Sequence, residues 1–346
     1  MEFSILDRIT AWVPGRWIRA EKHLRPTEPY LPDHFPGTPV LPGVLILEGM
    51  IQAGECLLDL SEPGPRRRYK VESFRGVKFM RFVQPGETLQ ICCQLVDFRK
   101  PDGPVEMLCQ GEVGGRLAIS ARIRMAACNG QDPAPEQSWG QKAREASPFS
   151  ASPQTVPLSP PENGQETTEP FRWLWIDRFT EFQAGSWAEA CKYVPLEAKR
   201  SPFGRINPAR ITPTLILEGM AQTGGLLVFE ATGFQLAPIM ARIPQAEFYF
   251  QPQPGEALLY RAHLDRLGPE GAAVTIASQQ AAQMQAKAQI LFALVGNDAD
   301  AQPKVDPAIF YRMMLASSAF EVPTPGRPLP LPDQGIFASS LTFPVE

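Results

Sequence analysis

Residues 33–52 read DHFPGTPVLPGVLILEGMIQ, and the hexapeptide at 45–50 within them, LILEGM, returns unchanged at 215–220. The offset is 170 residues, and the same register holds on either side. Asp7-Arg8 maps onto Asp177-Arg178, Gly15 onto Gly185, Trp17 onto Trp187, Lys22 onto Lys192 and Gln52 onto Gln222. Further along the offset drops to 169, where Phe79 maps onto Phe248 and Pro85-Gly86-Glu87 onto Pro254-Gly255-Glu256. One register held this far marks a tandem duplication. The repeated units are residues 1–128 and 171–299.

Between them, residues 129–170 are rich in Pro, Ser, Gln and Glu and poor in apolar side chains. Such a segment cannot bury enough surface to offset its ordering entropy, so it reads as an extended, flexible linker. After the second unit, residues 300–346 hold a short helix over Pro307 to Ala319 and a Pro-rich end, GRPLPLPDQG. The 37 prolines of the 346-residue chain concentrate in linker, tail and the loops before the helices.

The composition agrees with two globular domains. The chain is 44% hydrophobic, enough for real cores, and its length fits two domains at roughly 150 residues each. A net charge of −4 argues against a nucleic-acid binder, which would carry a basic excess. Cys56, Cys92, Cys93, Cys109, Cys128 and Cys191 form no C-x-x-C pair and no Cys/His metal spacing, so they read as buried free thiols of a reducing compartment. No metal site is expected. MEFSILDRIT lacks the basic and apolar regions of a secretory signal. The longest apolar stretch, around Pro39 to Ile51, is too short to span a bilayer. The expectation is a cytoplasmic protein without a membrane span.

Each unit carries one long helix, Val44 to Leu60 in the first and Pro213 to Ala231 in the second. In the second, Thr212 is the N-cap and Pro213 the first helical residue. Both helices are apolar nearly all round, which predicts burial. The remaining segments read as strands: Gln90–Phe98, Met107–Glu112 and Leu117–Ala126, then Ala257–Leu267, Ala272–Gln279 and Ala286–Val295. Gly114-Gly115 marks a hairpin. The expected class is α+β, an antiparallel sheet wrapped around one central helix in each unit.

The stretch at 33–52 closely resembles the signature H-F-P-G-x-P-x-x-P-G-V-x-x-x-E-x-x-x-Q of the β-hydroxyacyl-acyl-carrier-protein dehydratases, proteins of the hot-dog fold. Leu6-Asp7-Arg8, Glu28-Pro29-Tyr30, Lys78-Phe79 and Pro85-Gly86-Glu87 fit the family in order, so the resemblance covers nearly all of residues 1–126. The second unit is similar to the family's scaffold but lacks the first half of the motif. The resemblance implies dehydration of 3-hydroxyacyl thioesters, with acyl carrier protein or coenzyme A as the carrier and no cofactor.

That chemistry needs a base for the α-proton, a donor for the leaving hydroxyl and a stabiliser for the enolate-like oxygen. His34 is the candidate base, since an imidazole titrates near neutrality. His23 and His263 lie in strand-like contexts and are taken as structural. Glu48, a carboxyl on an otherwise apolar helix, is costly to bury, and so is Glu218 at the equivalent position. Each is an acid or a structural hydrogen-bonding group. Gly43, at the helix start, offers an N–H without a partner in the helix to a developing oxyanion, or serves only the tight turn. Gln52 and Gln222, one turn beyond each glutamate, are supporting partners or core amides.

At the 170 offset from His34 stands Gly204, in a loop without histidine, and Thr212-Pro213 replaces Pro42-Gly43. Members of the family act as dimers in which the histidine of one subunit works with the acid of the other. Carried over, this implies that the two hot-dog domains form an intrachain pseudodimer. His34 and Gly43 would then face Glu218 in one working site, and the reciprocal site at Glu48 would lack its base. Arg205 and Arg210 would either neutralise Glu48 there or be solvated loop residues. Family dimers assemble further, which leaves a higher homo-oligomer open. The basic run Arg66-Arg67-Arg68 with Lys70 is a carrier-docking patch or a solvated loop. Competing readings are another reaction on the same fold, enoyl hydration or thioester hydrolysis, and a non-catalytic acyl-thioester-binding or assembly protein.

Overall fold

The computed structural model describes residues 4–35, 37–61, 69–96, 103–128, 156–157, 173–194, 211–296, 305–322 and 329. The first half contains strands β1 (Arg8–Val13), β2 (Trp17–His23), β3 (Tyr69–Phe79), β4 (Thr88–Leu95), β5 (Val105–Val113) and β6 (Arg116–Ala127), with helix α1 over Gly43–Ser61. A two-residue strand, β7 (Val156–Pro157), pairs with β1. The second half repeats the order with β8 (Arg178–Gln183), β9 (Trp187–Tyr193), α2 (Pro213–Ala231), β10 (Ala237–Phe248), β11 (Ala257–Gly268), β12 (Gly271–Gln280) and β13 (Gln283–Val295). Helix α3 (Ala308–Ala316) and a 3-10 turn (Ala319–Glu321) follow.

All pairings are antiparallel, in one sheet ordered β7-β1-β2-β4-β5-β6-β3-β10-β13-β12-β11-β9-β8. Apart from β7, the order reads the same outward from its centre. The halves meet where β3 pairs with β10, Val77 opposite Ile243 and Phe74 opposite Ala246. Period-two burial makes this possible. Along β4, Leu89, Ile91, Cys93 and Leu95 point inward, and the residues between them are more exposed. The inward faces close over α1 and α2, which are buried almost all round. The helices also touch each other.

The duplication is visible in the hydrogen bonds. Gln52 Oε1 accepts from the Ile5 N–H at 3.0 Å, and Gln222 Oε1 from the Trp175 N–H at 2.7 Å, a displacement of 170 in both partners. The Leu24 N–H donates to the Glu87 carbonyl and the Val194 N–H to that of Glu256, the second partner displaced by 169. In α2 a Cβ on Gly219 would stand 2.6 Å from the Tyr260 ring, so only glycine lets helix and sheet approach this closely.

Several expectations need adjusting. Helix α1 begins one residue earlier and ends one later than expected, whereas α2 matches at both ends. The tail helix is shorter and ends in a 3-10 turn. Among the cysteines, Cys56, Cys93 and Cys109 are buried, but Cys92, Cys128 and Cys191 are partly exposed, and all six are free thiols. The linker apart from Val156–Pro157, the basic run at 66–68, the loop with Gly204, Arg205 and Arg210, and the Pro-rich end apart from Leu329 lie outside the described residues. No helix among the described residues is long and apolar enough to cross a membrane.

Candidate active site

A cavity of about 580 Å³ lies between the halves. His34, Gly43 and Phe79 line it from the first half; Trp173, Glu218 and Gln222 line it from the second. Glu48 and Gln52 are not among its lining residues.

His34 sits in the loop before α1. Its backbone N–H donates to the Tyr30 carbonyl at 3.0 Å. The next residue, Phe35, has φ 57°, a left-handed conformation that costs a phenylalanine energy. This turn sets the Phe35 ring 4.4 Å from the imidazole, centroid to centroid. On another side the Trp173 indole meets the imidazole edge-on at 5.6 Å. His34 Nδ1 lies 3.1 Å from the Val40 carbonyl oxygen. A carbonyl can only accept, so Nδ1 carries the proton and Nε2 keeps its lone pair. Burial pushes the imidazole down to about 4, against the opposing pull of the Val40 hydrogen bond, so the ring is neutral at physiological pH.

Glu218 projects from the first turns of α2. Its Oε1 accepts from Trp173 Nε1 at 2.8 Å and from Gln222 Nε2 at 2.9 Å. Its Oε2 accepts no hydrogen bond among the described residues. Burial raises the carboxyl's pKa, only partly offset by these two donors, and so favours the protonated acid. Gln222 is held in turn by the Trp175 N–H and by the Trp173 carbonyl, to which it donates at 3.1 Å. The site thus pairs a neutral imidazole with a carboxyl biased toward protonation, joined through Trp173.

Helix α1 starts at Gly43. The first N–H groups with partners are those of Leu45 and Ile46, both on the Pro42 carbonyl, which leaves the Gly43 N–H without a partner among the described residues. A Cβ on Gly43 would lie 2.6 Å from Phe79 Cε1, so the ring packs over the glycine where any side chain would collide. The helix dipole adds positive potential at this end.

The opposite arrangement, around Glu48, differs: here the described residues supply the carboxyl with partners of its own. Thr214 Oγ1 donates to Glu48 Oε2 at 2.6 Å, and Thr212 Oγ1 lies 2.7 Å from Thr214 Oγ1. Thr212 also caps α2, accepting from the Leu215 N–H, and Pro213 at the first helical position has no N–H to give. Gln52 donates to Glu48 at 3.3 Å. His23 is exposed at a strand end, 3.1 Å from Thr88 Oγ1, and the His263 ring packs near Trp187 at 6.3 Å. Neither histidine lines the cavity.

Three features escaped the sequence reading. Trp173 carried one signal: it heads the aromatic run Trp173-Leu174-Trp175 just after the linker. Phe35 stands in the H-F-P-G motif, but nothing marks its left-handed backbone, which phenylalanine does not favour. The tail helix was visible as a helix, but not as a wall of this cavity, to which it contributes Ile309, Phe310 and Met313. No group of three or more His, Cys, Asp or Glu side chains among the described residues could hold a metal.

Comparison with known proteins centres on the first half. Residues 1–122 match the family described as FabA-like domain. The chain is 37% identical over 133 residues to the 3-hydroxyacyl-[acyl-carrier-protein] dehydratase FabZ of Nitratidesulfovibrio vulgaris, a match covering 38% of this chain and 84% of that protein. It is likewise 37% identical over 130 residues to FabZ of Lawsonia intracellularis, covering 37% of this chain and 84% of the relative. Among solved structures, an acyl-CoA thioesterase II of Mycobacterium marinum aligns with a TM-score of 0.46 and 15% identity, over 86% of this chain and 98% of that one. A likeness of that depth decides nothing about the reaction.

Proposed function

The chain belongs to the family of the 3-hydroxyacyl-[acyl-carrier-protein] dehydratases FabZ, and we propose that it dehydrates 3-hydroxyacyl thioesters at one active site shared by its two halves. The domains are read as 1–128 and 171–299, an intrachain pseudodimer of hot-dog units. One observation carries the proposal: His34 and Gly43 of the first half and Glu218 of the second line the same cavity.

In this reading His34 Nε2 takes the proton from the carbon next to the thioester carbonyl. The electron pair of that C–H bond moves onto the carbonyl oxygen, where the Gly43 N–H and the α1 dipole stabilise it. Collapse of the enolate breaks the β C–O bond, and the Glu218 carboxyl protonates the departing hydroxyl. The products are a trans-2-enoyl thioester and water. The proton on His34 returns to Glu218 through the released water, so the cycle needs no oxidant or reductant. Trp173 and Gln222 bind Oε1 of Glu218 and leave Oε2 for the substrate hydroxyl.

The exposed face of the central seam suits an anionic carrier of the acyl group, and the dehydratase relatives favour acyl carrier protein in that role. Lys78 and Arg242 stand directly opposite each other in the β3–β10 pair, both exposed. Like charges in that position are unfavourable unless an anionic partner meets them. Lys78 precedes the cavity-lining run Phe79 to Gln84, and Arg242 follows the run Pro238 to Ala241.

The test is enoyl formation by the purified full chain from 3-hydroxyacyl thioesters of a carrier protein. Wild type is expected to turn over. His34→Ala is expected to lose about 10²- to 10⁴-fold, the usual contribution of a positioned acid or base. If wild type forms no enoyl product at any chain length, the dehydratase reading fails and an acyl-thioester-binding role replaces it.

A further inference from the structure

Helix α3 lies beyond both repeats, yet it forms part of the cavity wall through Ile309, Phe310 and Met313. It is firmly held. Asp306 Oδ1 accepts from the Ala308 N–H at 2.9 Å, the Ser317 carbonyl accepts from the Phe179 N–H at 2.9 Å, and Tyr311 packs on Phe320 at 5.4 Å. Phe310 itself touches both halves: its ring lies 6.0 Å from Phe35 and 5.6 Å from Phe229.

The contact with Phe229 fixes where α3 stands along the cavity. Glu218, Ala221, Gln222, Gly225 and Leu226 line it from α2, the spacing of a single helix face. At 1.5 Å per residue this stripe runs roughly 12 Å from the Glu218 end to the Leu226 end. Phe229 lies almost one turn further, so the Phe310 ring stands past the Leu226 end of the stripe, with its other contact, Phe35, beside His34. Polarity changes along the same line. Glu218 and Gln222 occupy one end, and Gly225, Leu226, Pro238, Ile239 and Phe292 the other.

Gly225 is informative because nothing in the packing demands a glycine there. A Cβ would meet Phe292 Cε1 at 3.5 Å, ordinary van der Waals contact, although glycine inside a helix costs about 0.5–1 kcal/mol relative to alanine. Its counterpart in α1 is Glu55, exposed to solvent. Gly225, by contrast, is buried and lines the cavity. A helix position that gives up its side chain where the wall could accept one keeps space open.

We propose that α3 is a chain-length stop: Phe310 and Met313 close the far end of the acyl cavity, and Gly225 keeps the passage toward them open. This rests on the proposed function only in taking the cavity as the acyl site. An extended alkyl chain advances roughly 1.3 Å per carbon, given C–C bonds of about 1.5 Å. Through Phe35 the Phe310 ring stands no more than about 10 Å from the imidazole, so the stop falls within roughly eight carbons of the reacting centre.

The test measures binding of saturated, unreactive acyl-N-acetylcysteamine thioesters of increasing length to the full-length protein. Turnover of the matching 3-hydroxyacyl thioesters is measured beside it. In wild type, affinity is expected to rise about fourfold per carbon, the worth of one buried methylene, and then stop rising at a break. Met313→Ala and Phe310→Ala should move the break to longer chains. Gly225→Val should move it to shorter ones. A break at the same carbon in all four proteins, or no binding at any length, overturns the stop. Binding with a movable break but without enoyl formation keeps the stop and removes the dehydratase reading.

Discussion

Glu48 and Glu218 occupy the same position in the two repeats, and their fates differ. Both are buried to the same degree, 9% and 8% exposed, and burial raises the pKa of both. What separates them is the helix start that faces them. Glu48 meets Thr214, behind a capping threonine and a proline without an N–H. Glu218 lines a cavity that also holds the open N-terminus of α1 at Gly43 and the neutral imidazole of His34. A duplicated pair of carboxyls therefore becomes one candidate acid and one internal hydrogen-bond acceptor. The sequence of the opposing loop makes the difference.

The largest effect is expected from making the α1 start resemble that of α2. Gly43→Pro copies Pro213 and removes the N–H proposed to stabilise the oxyanion. Activity should fall about 10²- to 10³-fold, as for the loss of one oxyanion donor. Gly43→Ala presents Phe79 with the same Cβ but keeps the N–H, so its steady-state rate isolates the steric part. Equal losses in both variants would leave the N–H without a role.

The pH profile of kcat/KM should report the two groups separately. His34 must be unprotonated to act, and burial holds it at about 4 instead of the ordinary 6.5. The acid limb should therefore fall near pH 4 and not near 6.5. Glu218 must be protonated, and its raised pKa moves the alkaline limb above the ordinary carboxylate range. An acid limb near 6.5 would mean that His34 is open to water in the working enzyme. In the same window stability follows the usual linkage. The unfolded chain binds more protons at His34 between its two pKa values, so this group's contribution to stability declines as the pH falls from 6.5 toward 4.

The smallest expected effect lies at Glu48. Thr214→Val removes the hydroxyl that donates to Glu48 and leaves a buried carboxyl short of a partner. Thermal and denaturant unfolding should report a loss of about 1–3 kcal/mol, with turnover unchanged. A large loss of turnover in this variant would show that the Glu48 side takes part in the chemistry.

Much of this arrangement was legible in the sequence, because repetition and the helix signals are local. The 170 and 169 registers reappear as paired hydrogen bonds at Gln52 and Gln222 and at Leu24 and Val194. The central strands were harder to read. β3 pairs with β6 through register shifts between Val71 and Ser73 and between Arg75 and Lys78. β10 contains Pro238 and Pro244 and shifts register twice against β13. Such bulges interrupt the alternation by which a strand is recognised. Trp173, Phe35 and the α3 wall reach the site only through tertiary packing, and neither propensity nor spacing encodes that. The identity of the acid likewise stayed open between Glu48 and Glu218, since the motif places a glutamate in both helices.

Parallel steady-state assays of Glu218→Gln and Glu48→Gln on one 3-hydroxyacyl thioester decide which carboxyl is the acid. If Glu218 is the acid, Glu218→Gln should lose about 10²- to 10⁴-fold and Glu48→Gln should stay within about twofold of wild type. The reverse outcome, with Glu48→Gln inactive and Glu218→Gln active, would place the chemistry within the first half alone and contradict a site shared between the repeats.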